Sequence, residues 1–365
     1  MRTAPRLRRP AFFKRVSNAS LLTAWTAIGL LCGIPFAPAL RAQTQSNPLT
    51  TWTVTVVLPP KVMAGHPATL AVLGVDGKLA PGVAVNLSDG QSVTTDRTGR
   101  AAFKAPAAGD YLLAKASGTS VAALIDPAVG ASEPQGITLP GIVSVRDRFW
   151  ICGGGLRGDA DANSVKINGQ AALVLAASPE CLVVLPGANT KPGAASISVE
   201  APGVQWSATT TLVSLEYEAP HAALLPNQKG QLLVRAIGSA QKLRIVVQNQ
   251  TPGVLRFLRG DVQELLTKGG PQNIAELRVQ AVRSGDYSFH ARPLSSPDAP
   301  SAERYLRAAQ AIAPADLQDD LKRLAGRLAH HPRDFQIVRA ELAHILRDTM
   351  AGDFRTLVDA ARAAL

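Results

Sequence analysis

Short runs of alternating apolar and polar residues dominate the chain between about residues 51 and 291. One run contains Val83, Val85 and Leu87 and ends at the turn signal Asp89-Gly90. Turn signals of this kind recur about every 8–12 residues, a spacing typical of β-sandwiches. Because successive side chains of a strand point to opposite faces, the alternation places one face of each strand in a core and the other in water.

The pattern changes after a segment rich in proline and serine, residues 293–300. Apolar residues then recur at helical spacing, first at Leu317, Leu321, Leu324 and Leu328 and then at Phe335, Val338, Leu342 and Ile345. Pro314 and Pro332 stand where helices begin, and Gly352 separates the last two helices. The sequence therefore predicts a helical hairpin or small bundle of three to four helices over residues 301–365.

Residues 50–125 resemble a bacterial Ig-like module. The resemblance rests on the strand at 83–87, the turn Thr95-Asp96-Arg97-Thr98-Gly99-Arg100, the strand around Phe103 and the motif Ala108-Gly109-Asp110-Tyr111. It implies an antiparallel sandwich in which that turn joins two middle strands.

Residues 137–214 resemble an IPT/TIG domain. The matching pieces are Phe149-Trp150-Ile151, Gly153-Gly154-Gly155-Leu156 and Val165-Lys166-Ile167-Asn168-Gly169, followed by strands at 171–175, 181–186 and 193–199. Leu156 departs from the family, which usually carries an aromatic residue there. IPT/TIG modules are Ig-like sandwiches of many proteins, so the resemblance implies a fold and no activity.

Residues 215–295 also read as strands, and Gly285-Asp286-Tyr287 repeats the earlier Gly109-Asp110-Tyr111. The predicted fold is therefore mainly β, with tandem Ig-like sandwiches at 50–125, 137–214 and 215–295. A linker is expected at 126–136, and the helical tail at 301–365 completes the chain.

The N-terminal 42 residues have the composition of a secretory signal peptide. Basic residues precede an apolar run at 21–36, and small residues lead to Leu40-Arg41-Ala42. Cleavage is predicted after Ala42, or after Ala39 as the alternative. Arg8-Arg9 leaves both the twin-arginine and the Sec route open. The mature protein is then periplasmic, on the cell surface or extracellular.

Charge and composition exclude several classes of protein. Seven of the basic residues and no acidic residue precede the cut, so the formal net charge of +11 falls by seven to +4. This charge does not favour nucleic-acid binding. After Ala42, no apolar run approaches the ~20 residues that a membrane-spanning helix needs.

Two cysteines remain in the mature chain, Cys152 and Cys181. An even pair in an oxidising compartment favours a disulfide, while two separate buried thiols are the alternative. Closing a loop of ~30 residues would stabilise the fold by roughly 3–4 kcal/mol.

Several motifs suggest chemistry without the context that it requires. Gly153-x-Gly155-x-x-Gly158 matches a dinucleotide fingerprint, but a strand follows it where a helix is needed, which favours an Ig-like turn. Asp159-x-Asp161-x-Asn163 resembles the start of a calcium loop but lacks the later glycine and glutamate of that loop. Two interpretations of this motif remain, a looser calcium site and a solvated acidic turn.

Other polar side chains are candidates for a functional site, although no known motif joins them. Asp286, Ser288 and His290 alternate on one predicted strand face, about 6.5–7 Å apart and too far for a nucleophile–base pair. Tyr287 and Phe289 are then expected to point to the core. The six histidines form no zinc motif. The one charge imbalance lies between Lys229 and Arg292, with ten basic and four acidic residues.

We therefore expect an exported, non-enzymatic protein without a cofactor, catalytic residue or metal site. Its structural or binding role would be adhesion or scaffolding at the cell envelope or surface. The expected partner is a protein or an acidic envelope glycan. The alternative is an exported hydrolase, or an accessory subunit of a glycan-active enzyme, which would need paired carboxylates in a cleft with aromatic residues.

Overall fold

The computed structural model describes residues 54–128, 136–218, 224–294 and 296–365. The predicted signal peptide at residues 1–42 lies outside the described residues, as do Trp52 and most of the predicted linker.

Two facing sheets form the first sandwich. Its strands are β1 (Thr55–Val57), β2 (Lys61–Met63), β3 (Pro67–Leu73), β4 (Ala84–Leu87), β5 (Ser92–Thr94), β6 (Arg100–Lys104), β7 (Tyr111–Ala116) and β8 (Thr119–Asp126). Strands β1, β3 and β6 pair in one sheet, and the order of the other is β2-β8-β7-β4-β5. Side chains such as Leu70 and Leu112 meet between the sheets as the core.

The second sandwich follows the same principle. Its strands are β9 (Ile142–Ser144), β10 (Phe149–Cys152), β11 (Ser164–Ile167), β12 (Gln170–Ala177), β13 (Cys181–Leu185), β14 (Gly193–Ala201) and β15 (Val204–Glu218), with a 3-10 helix at Ala160–Ala162. Strand β12 pairs with both β11 and β13. Its core includes Phe149, Ile151 and Ile197.

Strand β15 continues from the second sandwich into the third. Its first part pairs with β14, and residues 214–218 pair with the next strand, β16. The remaining strands are β16 (Lys229–Ile237), β17 (Arg244–Asn249), β18 (Leu255–Phe257), β19 (Val262–Leu266), β20 (Ile274–Ala281) and β21 (Phe289–Pro293). The boundary expected at 214/215 therefore falls inside one strand, which joins the two sandwiches without a flexible linker.

The first two sandwiches pack directly on one another. Alternate residues of β3 face outward and meet the second sandwich, where Ala71 and Leu73 pack with Leu175 and Val183. One backbone pairing, Thr69 with Ala177, also links the two sandwiches. Both faces of β3 are thus buried, as its nearly unbroken apolar sequence suggests.

Four α-helices form the tail: α1 (Ala299–Ile312), α2 (Ala315–His330), α3 (Phe335–Asp348) and α4 (Asp353–Ala364). Asp298 caps α1 by accepting a hydrogen bond from the Ser301 backbone N–H at 3.1 Å. Pro314 and Gly352 immediately precede α2 and α4. The mainly β fold with a helical tail is thus confirmed.

The helices fold back onto the first sandwich. Leu113 and Leu124 belong to the apolar core of the helices, whereas their neighbours Leu112 and Ile125 face the core of the sandwich. The sheet of β7 and β8 is therefore covered on both sides. The sequence pattern predicted neither β8 nor the burial of this second face. Alternation along a strand was taken to mean that one of its faces is exposed to solvent.

The helices also contact the third sandwich. Arg339 of α3, with a side chain only 6% exposed, donates from Nε to a Glu264 oxygen at 2.6 Å. Arg244 lies 3.0 Å from the other Glu264 oxygen. Because the tail contacts both the first and the third sandwich, the chain closes around a central space.

Candidate functional site

The central space is a cavity of about 690 Å³. The three sandwiches, the segment before α1, and helices α1 and α4 all contribute to its wall. We call it the central cavity. Its charged and aromatic lining residues include Lys61, Asp147, Arg148, Trp150, Arg292 and Tyr305. The volume lies within the range of small-molecule sites.

Two arginines, Arg148 and Arg292, and the carboxylate of Asp147 line one part of the central cavity. Arg148 lies between β9 and β10, and Arg292 lies on β21. The nearby Asp147 carboxylate lies 3.3 Å from His290 Nε2. Surrounding protein atoms lower the pKa of both arginine guanidinium groups, and the negative charge of Asp147 partly opposes this effect.

Tyr305 closes another part of the wall. Its hydroxyl lies 3.2 Å from the Pro60 carbonyl and 3.3 Å from the Ala122 carbonyl. Burial raises the pKa of Tyr305 above its ordinary range. The residue therefore serves as a neutral hydrogen-bonding anchor between α1 and the first sandwich.

Next to the cavity, four charged residues form what we call the acidic junction: Lys61, Asp126, Glu180 and Arg304. Arg304 of α1 pairs with Asp126 and also donates to the Ile125 carbonyl at 2.7 Å. Burial raises the pKa of Glu180 to about 7, and the negative charge of the nearby Asp126 carboxylate adds to this effect. The acidic junction links the first and second sandwiches to the helices.

The predicted disulfide Cys152–Cys181 is confirmed. The two residues are directly opposite one another on β10 and β13, with their Cα atoms 4.1 Å apart. Cys152 also lines the central cavity. The bond fixes one wall of the cavity to the core of the second sandwich.

The glycine motif lies in the connection between β10 and β11, and a 3-10 turn follows it. A Cβ atom at Gly158 would lie 1.9 Å from the Pro67 carbonyl oxygen, and one at Gly155 would lie 2.6 Å from the Val204 side chain. These glycines permit close packing against the first sandwich and β15. The turn interpretation accounts for the motif.

Local structural contacts occupy Asp159, Asp161 and Asn163. Asp159 accepts a hydrogen bond from the Asp161 backbone N–H at 3.0 Å, and the Asp161 carboxylate lies 2.8 Å from Arg100 Nη1. The buried Asn163 amide donates to two backbone carbonyls, those of Arg157 and Asp159. Arg100, itself 8% exposed, also donates to the Val174 carbonyl at 2.6 Å. Asp161 thus helps to join the first two sandwiches.

Asp286 and Ser288 precede strand β21 and are exposed, whereas His290 lies within it. The structure brings His290 to Asp147 and does not group it with the other two residues as a site. Tyr287 is 40% exposed, so its expected position in the core is wrong. Phe289 does pack on the third core, with Tyr217 and Phe257 at ring distances of 5.4 and 5.2 Å.

His330 and His344 lie on α2 and α3, and both side chains are exposed. His344 lies 3.8 Å from Asp348. Across the described ranges, no three side chains of histidine, cysteine, aspartate or glutamate come together as a metal-binding group. Within those same ranges, no helix is both long and apolar enough to span a bilayer.

The excess of positive charge between residues 229 and 292 is partly neutralised by ion pairs. Arg235 pairs with Glu218, and Lys268 lies 2.5 Å from Glu276. Three exposed cations remain on the outer face of the sheet β16-β20-β18: Lys229, Arg256 and Arg278. We call this surface the basic face.

The register defines the geometry of the basic face. Gln280 is opposite both Lys229 and Arg256, so these three side chains form one row across three strands. Arg278 lies on the same face two residues from Gln280. No carboxylate of the described chain lies within 4.0 Å of these three cations.

Sequence reasoning missed the cavity residues Asp147, Arg148 and Arg292. No motif joins them, because Arg292 is far along the chain from the other two. The charged stretch Arg146-Asp147-Arg148, directly before the predicted piece Phe149-Trp150-Ile151, was the one local signal.

No protein-family profile and no curated protein match the sequence. Among solved structures, the plexin A4 extracellular region is 11% identical at a TM-score of 0.26, covering 64% of this chain and 31% of that one. The I9–I11 tandem of titin is 9% identical at a TM-score of 0.19, covering 66% and 95%. The four N-terminal Ig domains of Dscam1 isoform 4.44 are 11% identical at 0.21, covering 64% and 73%.

The chain thus spans less than a third of the plexin A4 region that it matches. Scores of this size establish no shared overall arrangement, so the sandwich architecture rests on the strand pairing described above. The finer resemblance of residues 137–214 to IPT/TIG domains stays a prediction.

Proposed function

We propose that the protein is an exported, non-enzymatic Ig-like protein with a binding or scaffolding role at the cell envelope. The Cys152–Cys181 bond supports export, because disulfides persist mainly in oxidising compartments. The predicted signal peptide at residues 1–42 supports the same location. The three sandwich modules at 50–125, 137–214 and 215–295, the second of IPT/TIG type, would present their surfaces from one stiff body.

The basic face is the observation that carries the binding role. Lys229, Arg256 and Arg278 lie on neighbouring strands, which are separated by about 4.8 Å, and residues two apart on one strand are about 6.5–7 Å apart. Closely spaced cations without ion-pair partners attract polyanions. The nearest acid on this face, Glu276, is already paired with Lys268.

An acidic glycan fits this face better than a protein partner. The surface is a regular sheet face with polar neighbours Gln231 and Gln280, and its apolar side chains are Leu258, which is 40% exposed, and the half-buried Leu233 and Ile274. Protein interfaces usually contain a buried aromatic or apolar anchor. A repeated acidic sugar needs only spaced positive charges and hydrogen-bond donors.

The described carboxylates do not favour the hydrolase alternative. The carboxylates of Asp126 and Glu180 act on each other through their charges, and neither lines the central cavity, whereas glycosidase carboxylates flank the substrate bond. Arg304 also pairs with Asp126. The pair therefore acts as a link between domains in this proposal.

The test is binding to polygalacturonate, with neutral dextran as the control glycan. The triple variant K229Q/R256Q/R278Q should lose at least tenfold in affinity, and wild-type binding should weaken as salt rises. The matched control K104Q/K191Q/R333Q removes the same charge from exposed residues elsewhere. Equal losses in both variants would show a general charge effect and contradict the assignment.

A polyglutamate peptide separates the two partner classes. Tighter binding to this peptide than to polygalacturonate would favour an acidic protein partner. Turnover of either polymer, abolished by D126N or E180Q, would instead support an enzyme and refute the proposal.

A further inference from the structure

Two cations line the central cavity without forming an ion pair in the described chain, although the negative charge of Asp147 acts on both. The guanidinium groups of Arg148 and Arg292 line it, and within the part of the chain that the structure describes neither has a carboxylate within 4.0 Å. The two residues come from different sandwiches, so the space between them exists only in the folded chain. This surface is separate from the basic face.

Three basic residues line the cavity, Lys61, Arg148 and Arg292, against two carboxylates, those of Asp147 and Asp298. Asp147 lies 3.3 Å from His290. Asp298 accepts hydrogen bonds from the Ser301 backbone N–H and hydroxyl and lies 4.0 Å from Lys61. Positive charge is therefore in excess in the cavity.

The two guanidinium groups remain charged even though surrounding protein atoms lower their pKa, because arginine ordinarily ionises far above physiological pH. Both arginines are also exposed residues, so a counter-ion entering the cavity can reach their guanidinium groups. The planar fork of arginine suits a carboxylate or another oxyanion.

The rest of the wall is largely apolar. Trp150 is half-buried, and Pro140, Val183, Pro293 and Ala364 also line the space. An aromatic ring beside such residues suits a flat or apolar ligand body, while the arginines would hold its charged end. Small-molecule sites commonly combine an apolar wall with a few convergent polar groups.

We infer that the central cavity binds an organic oxyanion, a small molecule with a carboxylate or phosphate at one end and an apolar body. Arg148 and Arg292 hold the oxyanion, and Trp150 packs on the body. The site goes beyond the proposed envelope function, because it uses another surface and a small ligand.

The experiment measures quenching of tryptophan fluorescence on titration of the full chain with 1-naphthoate. The comparison ligands are 1-naphthalenemethanol, which has a similar ring without the charge, and inorganic phosphate. Saturable binding of naphthoate, at least about tenfold tighter than binding of the alcohol, is expected. Tighter binding of phosphate than naphthoate would overturn the role of the apolar wall.

Variants then assign the arginines. R148Q and R292Q should each weaken naphthoate binding by about tenfold or more, and R148K should retain part of it. R259Q, a change of an exposed arginine elsewhere, should have no effect. Equal affinity of R148Q/R292Q and wild type at unchanged melting temperature would refute the inference, as would the absence of saturable naphthoate binding.

The polygalacturonate variants separate the two proposals. K229Q/R256Q/R278Q should bind naphthoate normally, because its changes lie on the outer face of the third sandwich. Failure to bind naphthoate would therefore not contradict glycan binding at the basic face. Failure to bind polygalacturonate would likewise not contradict the site in the central cavity.

Discussion

The contact at Gly158 predicts that a single added methyl group will loosen the joint between the first two sandwiches. A Cβ atom there would lie 1.9 Å from the Pro67 carbonyl oxygen and 2.6 Å from its carbonyl carbon. Both are backbone atoms of β3, which no side-chain rotation can move aside. Gly158→Ala must therefore displace one sandwich relative to the other.

The magnitude follows from two contributions. Overpacking a well-packed contact typically costs about 1–3 kcal/mol. The shift also stretches the buried hydrogen bond from the Thr69 hydroxyl to the Gly158 carbonyl, now 2.7 Å, which is worth about 1 kcal/mol. We expect Gly158→Ala to lower the free energy of unfolding by roughly 2–4 kcal/mol.

The assay is urea unfolding followed by the fluorescence of Trp150 and Trp206, both of which lie in the second sandwich. The matched control is Gly326→Ala. This glycine lies within α2, and a Cβ atom there would meet no atom within 4 Å. The control should stabilise the chain slightly, by up to about 1 kcal/mol, because alanine favours helix over glycine.

A Gly158→Ala variant as stable as wild type would refute the argument. It would show that the loop carrying the glycine can move away from β3 at little energetic cost. The joint between the two sandwiches would then be softer than the shared pairing of Thr69 and Ala177 suggests.

Three further perturbations test other joints. The folded state holds a proton on Glu180 that the unfolded chain releases above pH 4.5, so the free energy of unfolding should fall as pH rises from about 4.5 to 7. Because Glu180 is partly exposed, we expect Glu180→Gln to remove roughly 1 kcal/mol of that fall. The check is a comparison of the melting temperatures of both proteins at pH 5 and 8. Reduction of the Cys152–Cys181 bond should lower unfolding free energy by roughly 3–4 kcal/mol, measured by urea unfolding with and without dithiothreitol; unchanged stability would contradict this. Glu264→Gln leaves a buried arginine of α3 without its counter-charge, so it should cost roughly 2–4 kcal/mol and speed proteolysis of the helical tail; equal cleavage rates would exclude a docking role.

Local patterns in the sequence determined the type of most elements. The alternation at 83–87 and the helical spacing from Leu317 to Leu328 each record which faces of one element meet apolar surroundings, and that signal is local. Pro314 and Gly352 marked helix starts because their backbone preferences act within one turn. Short strands such as β2 and β5, of three residues each, were missed because so few residues show no period.

The sequence thus determined the sandwich class, the helical tail and the cysteine pair, which were all readable from spacing and residue type. Only the tertiary structure decided that Leu113 and Leu124 face helices, and that Arg148 and Arg292 share one cavity. The reason is physical: periodicity reports whether a side chain is buried, whereas the partner that buries it depends on how distant elements pack. The same holds for the two arginines, whose proximity depends on the relative placement of two sandwiches and leaves no trace in the residues beside either one.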